Sequence, residues 1–139
     1  MKPYVKIALF VVSFIAISAI LAALYMFNLK HTDMSKAKPD YSISAPLLLK
    51  AFEDDETAAS NKYINKILEV TGTIISIEPA ENNAMSISLA TESPFSSVIC
   101  TFPAVSDTSE FFTGNEITLR GECSGFLMDV LLNNCAIIK

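Results

Sequence analysis

Residues 66–78 read KILEVTGTIISIE, and the pattern of that stretch decides the fold. Leu68, Val70, Gly72 and Ile74 alternate with polar Glu69, Thr71 and Thr73, the period of a half-buried strand. The phase then slips by one residue, and Ile75 and Ile77 become the apolar set. Such a slip implies a bulge or a sharp bend, and Gly72 is the permissive residue nearby. One long, bent strand is expected here.

Working toward the C-terminus, the same period recurs. Met85, Ile87 and Leu89 alternate with Ser86 and Ser88 in a second strand; Val98, Cys100 and Phe102 alternate with Ile99 and Thr101 in a third, closed by Pro103. The stretch 106–115, SDTSEFFTGN, has room for roughly one or two helical turns before a Gly-Asn turn. Ile117, Leu119, Gly121 and Cys123 mark a fourth strand. A fifth runs from about Met128 to Lys139, where Val130 and Leu132 give way to Cys135 and Ile137 across Asn133 and Asn134, a second slip. Five strands, the first long and bent, with a small helical insert between the third and fourth, describe a mostly β chain. The expected fold is a five-stranded Greek-key barrel of the OB type over about residues 66–139. The bent strand serves both halves of such a barrel, a plain meander needs none, and an immunoglobulin-like sandwich wants about seven strands.

Working toward the N-terminus, residues 41–65 carry helical signals. Ser44 can cap, Pro46 suits a first turn, and Leu47, Leu48, Ala51 and Phe52 recur at helical spacing. The acidic run Glu53-Asp54-Asp55-Glu56 breaks that helix, and a second short one over about 56–65 carries Ala59 and Tyr63 on one face. Consecutive carboxylates point in different directions and no glycine-turned ligand loop follows, so a solvated helix junction is expected there rather than a calcium site. Residues 30–40 are polar, without periodicity, and contain Pro39, so they read as a linker, with His31 on its surface. Helices and barrel together make one domain over 41–139.

Behind a short tail, residues 1–6, the run Ile7–Leu29 carries no charged residue. At helical rise it spans roughly 35 Å, enough for a hydrocarbon core of about 30 Å. A cleaved secretory signal has a shorter apolar region and small residues at its end, whereas this run ends in the bulky Leu24-Tyr25-Met26-Phe27-Asn28-Leu29, so an uncleaved transmembrane anchor is expected. Cys100 is the first cysteine, so a lipid anchor on an N-terminal cysteine is not expected. Lysines flank the run on both sides and give little orientation bias; the short tail favours the N-terminus inside and the domain outside the cytoplasm. A single-pass inner-membrane protein with an extracytoplasmic domain is the resulting expectation.

The whole chain has a formal net charge of −5. From Asp40 onward, five cations (Lys50, Lys62, Lys66, Arg120, Lys139) stand against fourteen carboxylates, so the domain itself carries about −9. A domain this acidic repels phosphate backbones and anionic surfaces, which argues against nucleic acid as its partner.

The stretch YSISAPLLLKAFEDDETAASNKYINKILEVTG together with ITLRGECSGFLMDVLLNNCAI resembles the tRNA-anticodon-like OB-fold family, small envelope proteins mainly of Bacteroidota-type bacteria. The resemblance covers about 41–138. Its most specific pieces are Ala59-Ser60-Asn61-Lys62-Tyr63, Val70-Thr71-Gly72, and Gly121-Glu122-Cys123-Ser124-Gly125 with Asp129-Val130 and Cys135. It implies an OB-fold in the cell envelope. The family's name implies nucleic-acid binding, but that name follows fold similarity and identifies no site. Many relatives are lipid-anchored or signal-bearing; here a transmembrane run takes that place.

No catalytic constellation is expected. The one histidine, His31, lies in the linker, which excludes a Ser-His-acid set inside the domain, and Cys123 and Cys135 lack zinc-ligand spacing. Neither a phosphate-cradling loop nor a carboxylate pair in a pocket is evident. The chain is therefore read as noncatalytic, with no cofactor and no metal. OB-folds bind on the face of their second and third strands and with the loops after the first and fourth, here about 78–84 and 124–128. Single-strand binders need aromatic rings and cations on that face. The outward residues Ser86, Ser88, Ile99 and Thr101 are neither. Arg120 and Phe126 remain the candidate binding handles, with Phe126 also suited to plugging the barrel end. A binding or assembly module whose partner is an envelope protein, a peptide or a glycan is expected, with single-stranded nucleic acid as the alternative. All three cysteines point inward by alternation. Outside the cytoplasm two of them would oxidise, with Cys123–Cys135 as the expected pair and Cys100–Cys135 as its rival.

Overall fold

Two compact units, residues 1–31 and 32–139, make up the chain in a computed structural model that describes residues 1–27, 33–104, 108–109 and 111–138. The last residues of the expected membrane run, His31, the first linker residues and Lys139 lie outside the described residues.

In the first unit, Pro3–Phe27 form α1, a 25-residue helix with no buried residue. It is long and apolar enough to cross a membrane. It begins before the apolar run because Pro3 suits a first helical turn. Ser18, a polar exception on this surface, donates its hydroxyl to the Ile15 carbonyl at 2.9 Å.

The second unit opens with β1 (Tyr41–Ser44), α2 (Ala45–Asp54) and α3 (Glu56–Tyr63). The barrel follows: β2 (Ile67–Pro79), β3 (Met85–Leu89), β4 (Val98–Phe102), β5 (Glu116–Leu127) and β6 (Asp129–Ile138). The sheet runs β1-β2-β3-β4-β6-β5 and closes through β2–β5. β4 and β6 are parallel, and every other pair inside the barrel is antiparallel. This closed five-stranded barrel, with one extra strand and preceding helices, is the OB-fold that the residue pattern implies. The long strand is what closes it: residues 67–73 of β2 pair with β5 and residues 74–79 with β3.

The inward set is the alternating one. Leu68, Val70, Ile74, Ile87, Leu89, Val98, Cys100, Leu119, Cys123, Val130 and Leu132 are all buried, and Leu48, Leu49 and Phe52 of α2 join the same core. The phase slip in β2 is a register shift between Ile74 and Ser76, which leaves Ile75 exposed; it lies beyond Gly72. Gly72 serves packing instead, since a Cβ there would lie 3.0 Å from the Ala45 Cβ and 3.1 Å from the Leu89 Cβ.

Several expectations change. β1 is an added strand, parallel to β2, whose four residues are too few for a visible period. No helix occurs among the described residues of 106–115; the Gly-Asn turn is there, with Gly114 at φ 93° and its N–H on the Ile74 carbonyl at 2.8 Å. A short 3-10 turn, Glu81–Asn83, instead links β2 to β3, and Asn82 and Asn83 adopt left-handed backbone that asparagine tolerates. The loop expected at 124–128 is absent, because β5 runs to Leu127 and β6 starts at Asp129, with Met128 alone between them at φ 73°. The described part of the linker is docked rather than free. Met34 is buried, and Asp40 brackets Ile67, donating its N–H to the Ile67 carbonyl at 2.8 Å and accepting the Ile67 N–H at 2.9 Å.

Candidate functional site

β3 and β4 form the face on which OB-folds bind, and they alternate as the sequence requires. Met85, Ile87, Leu89, Val98, Cys100 and Phe102 are buried, which leaves Ser86, Ser88, Ile99 and Thr101 half-exposed on the outer face. Paired across the two strands as Ser86–Thr101 and Ser88–Ile99, they present hydroxyls and one aliphatic group. This face can accept hydrogen bonds and van der Waals contact. It offers neither a ring for stacking nor a cation for phosphate.

An open cleft of about 540 Å³ lies at the Met85–Phe102 end of that face. Ile77 and Pro79 at the end of β2, Asn83 in the 3-10 turn, and Phe111 and Phe112 beyond β4 line it. Phe111 is fixed by an edge-to-face contact with Phe102, ring centroids 5.4 Å apart, while Phe112 stands exposed. The lining is mixed, apolar side chains alternating with polar surface that includes the Asn83 amide and Thr108 hydroxyl, which suits an apolar side chain beside a hydrogen-bonding backbone.

The two residues offered by the sequence as binding handles do not come together. Arg120, on β5, donates through Nε to Glu69 Oε2 at 2.9 Å, with Nη2 at 2.9 Å from the same oxygen. Its Nη1 donates to the Ala37 carbonyl at 2.7 Å and the Ser35 carbonyl at 3.4 Å. The guanidinium is therefore used to fasten residues 35–37 to the barrel wall. Phe126 stacks on Phe52 of α2, with centroids 5.3 Å apart and planes 25° from parallel. Its ring packs against the barrel core rather than being left for a ligand. A ring-and-cation cluster that the pattern did not reveal sits beside α3: Lys62 Nζ lies 5.3 Å from the Tyr41 ring centroid and 5.0 Å from that of Tyr63. It joins the missed strand β1 to α3, so no sequence period could have shown it.

The cysteines are three free, buried thiols, and the expected Cys123–Cys135 bond is not formed. Cys123 pairs across β5–β6 with Leu132, and the register shift after Arg120 carries Cys135 past it. Cys135 donates to the Leu132 carbonyl at 3.5 Å, and Cys100 pairs with that same Leu132 across β4–β6. Burial, then the hydrogen bond and charge of Cys135, push the Cys100 thiol well above its ordinary range. Burial pushes Cys123 up to about 11, partly opposed by a hydrogen bond from the Gly125 backbone. Both stay protonated at neutral pH, the opposite of what a nucleophilic or metal-binding sulfur needs. Among the described residues no group of His, Cys, Asp and Glu is arranged to hold a metal ion.

Comparison with known proteins agrees with the architecture. The tRNA_anti-like family model matches residues 1–137. A solved structure from Klebsiella pneumoniae subsp. pneumoniae, described as a "putative nucleic acid-binding lipoprotein", is similar in fold. It aligns at 17% identity over 70% of this chain and 91% of its own, with a TM-score of 0.59. No curated protein matches the chain.

Proposed function

The chain belongs to the tRNA_anti-like family, and on that premise we propose that it is a noncatalytic OB-fold binding module, held at a membrane of the cell envelope by α1, with its domain on the extracytoplasmic side and a protein, peptide or glycan as ligand. The observation that carries the reading is the binding face. Ser86, Ser88, Ile99 and Thr101 offer hydroxyls and an aliphatic contact, and the chain's one arginine is already bound to Glu69 and two linker carbonyls. The cleft of mixed polarity at the end of that face adds a seat for a side chain. The protonated state of Cys100 and Cys123 weighs against thiol chemistry.

Single-stranded nucleic acid is the second reading, favoured by the family's name and by the name of the Klebsiella lipoprotein. A domain charge near −9 opposes it, because phosphate contacts supply most of such affinity and weaken steeply with salt. Anisotropy titration of labelled single-stranded DNA and RNA with the detergent-solubilised chain separates the two. At roughly 0.15 M salt no binding tighter than about 10 µM is expected, in keeping with so few free cations. Sub-micromolar affinity that falls with added salt would overturn the proposal in favour of nucleic acid.

A further inference from the structure

At the end of the barrel opposite the cleft, two loops present the most exposed large apolar side chains described in the domain: Phe95 at 84%, Leu127 at 79% and Met128 at 67%. Phe95 lies in the β3–β4 connection and the other two at the β5–β6 turn. Asp129 ties the loops together: its Oδ1 accepts the Ser97 N–H at 2.6 Å and the Ser97 hydroxyl at 3.0 Å, and the Val130 N–H donates to the Ser97 carbonyl at 3.1 Å. Inside the β3–β4 loop, Thr91 Oγ1 donates to the Ser96 carbonyl at 2.5 Å and accepts the Ser93 N–H at 3.2 Å. The polar backbone of the tip is thus largely satisfied from within, while its apolar side chains point to solvent. Met128 sits at φ 73°, backbone that glycine or asparagine adopts at lower cost, so the turn holds a bulky apolar residue against local preference.

We infer that Phe95, Leu127 and Met128 form a docking tip that inserts into the interfacial region of the same bilayer that α1 crosses. Three features select lipid over a protein partner. Only residues 28–32 separate α1 from Asp33, a reach of at most about 20 Å even when extended, and the linker beyond them is fastened to the barrel by Arg120. The domain therefore stays within reach of any membrane that α1 spans. The three side chains expose on the order of 400 Å², about half of what each side of a stable protein interface buries. The hydrogen bonds inside and between these loops also pair several of their backbone groups, which lowers the cost of taking the tip out of bulk water. With a domain charge near −9, the tip should favour zwitterionic over anionic lipid.

The inference rests on α1 being a membrane anchor, and the test separates the two. The chain has no tryptophan, so single Trp substitutions report cleanly. Full-length Phe95→Trp, Met128→Trp, Phe112→Trp and Ile15→Trp variants would be reconstituted in vesicles of phosphatidylcholine doped with bromine-labelled acyl chains. Strong quenching is expected at positions 15, 95 and 128 and little at 112, which lies by the cleft. Replacing half the lipid by phosphatidylglycerol should weaken the quenching at 95 and 128 but not at 15. Quenching at 15 alone would overturn the docking tip and leave the anchor standing. No quenching at 15 would overturn the anchor and the tip with it. Positions 95 and 128 that are unquenched yet blue-shifted as protein concentration rises would identify a second copy as the occupant, and the lipid assignment would fall.

Discussion

Arg120 shows how much a side chain's role depends on a neighbour distant in sequence. On a strand its alternation points it outward, and an outward arginine on an acidic domain looks like a ligand handle. The structure places Glu69 across from it, with side-chain exposures of 18% and 24%, and folds the linker carbonyls of Ser35 and Ala37 over the guanidinium. An arginine satisfied on both sides in this way is an internal clamp. Arg120→Met keeps the aliphatic stem but removes the donor to Glu69 Oε2 and to the two carbonyls, leaving Glu69 only the Ser42 hydroxyl at 3.4 Å. Urea denaturation of the detergent-solubilised chain is expected to show a loss of about 1.5–3 kcal/mol, the range for hydrogen bonds to charged groups. Trypsin should also cut sooner after Lys36, because the segment that carries it is no longer held; Lys38 precedes Pro39 and is not a tryptic site. Unchanged stability and unchanged cleavage would remove the clamp from the account. Phe126 teaches the same lesson, since stacking on Phe52 engages it as a plug.

Among the elements, the β5–β6 ribbon carries the most irregularity, and the reason lies at Gly121. A register shift between Arg120 and Glu122 falls opposite the slip at Asn133–Asn134, where Asn134 takes φ 52°, and a second falls between Cys123 and Gly125, opposite Leu131 and Leu132. These shifts turn the Cys135 side chain inward over Gly121. A Cβ on Gly121 would lie 2.5 Å from the Cys135 sulfur and 3.2 Å from the Asn133 carbonyl oxygen, so a glycine is required by close approach. Gly121→Ala is expected to destabilise by about 1–3 kcal/mol, the usual cost of overpacking a core. Removing the sulfur in Gly121→Ala/Cys135→Ala should return part of that loss, since the two changes share one space. Additive losses in a double-mutant cycle, measured by urea denaturation, would show that the sulfur is not the obstacle. The two phase slips were readable from residue order, because a one-residue slip moves apolar side chains to the other face. The exact bulge position in β2 was not, as it depends on where pairing passes from β5 to β3.

For the whole molecule, the consequential property is which side of a membrane the barrel occupies. The helix α1 is long and apolar enough to span, and its flanking lysines are nearly balanced, so charge alone gives little direction. Protease access therefore tests the proposed extracytoplasmic placement. Protease added to intact spheroplasts of the producing bacterium should degrade residues 33–139 while a cytoplasmic marker survives. Protection of the domain until the membrane is broken would reverse the topology and place the free thiols in a reducing compartment.

Residue order by itself determined the barrel's inward set, the bent strand that closes it, the two slips and the apolar helix. Each follows from a local rule: a pleated strand turns alternate side chains to opposite faces, and an uncharged run of this length buries its backbone polar groups only as a helix. Tertiary structure alone decided that β1 adds a strand, that the linker docks, that Arg120 faces internal partners, that Phe52 is the ring on which the Phe126 plug is seated, and that Cys135 lies past Cys123 and near Leu132, the partner of Cys100. Those outcomes depend on closure, in which bulges and register between distant strands set which side chains meet, and no local period carries that information.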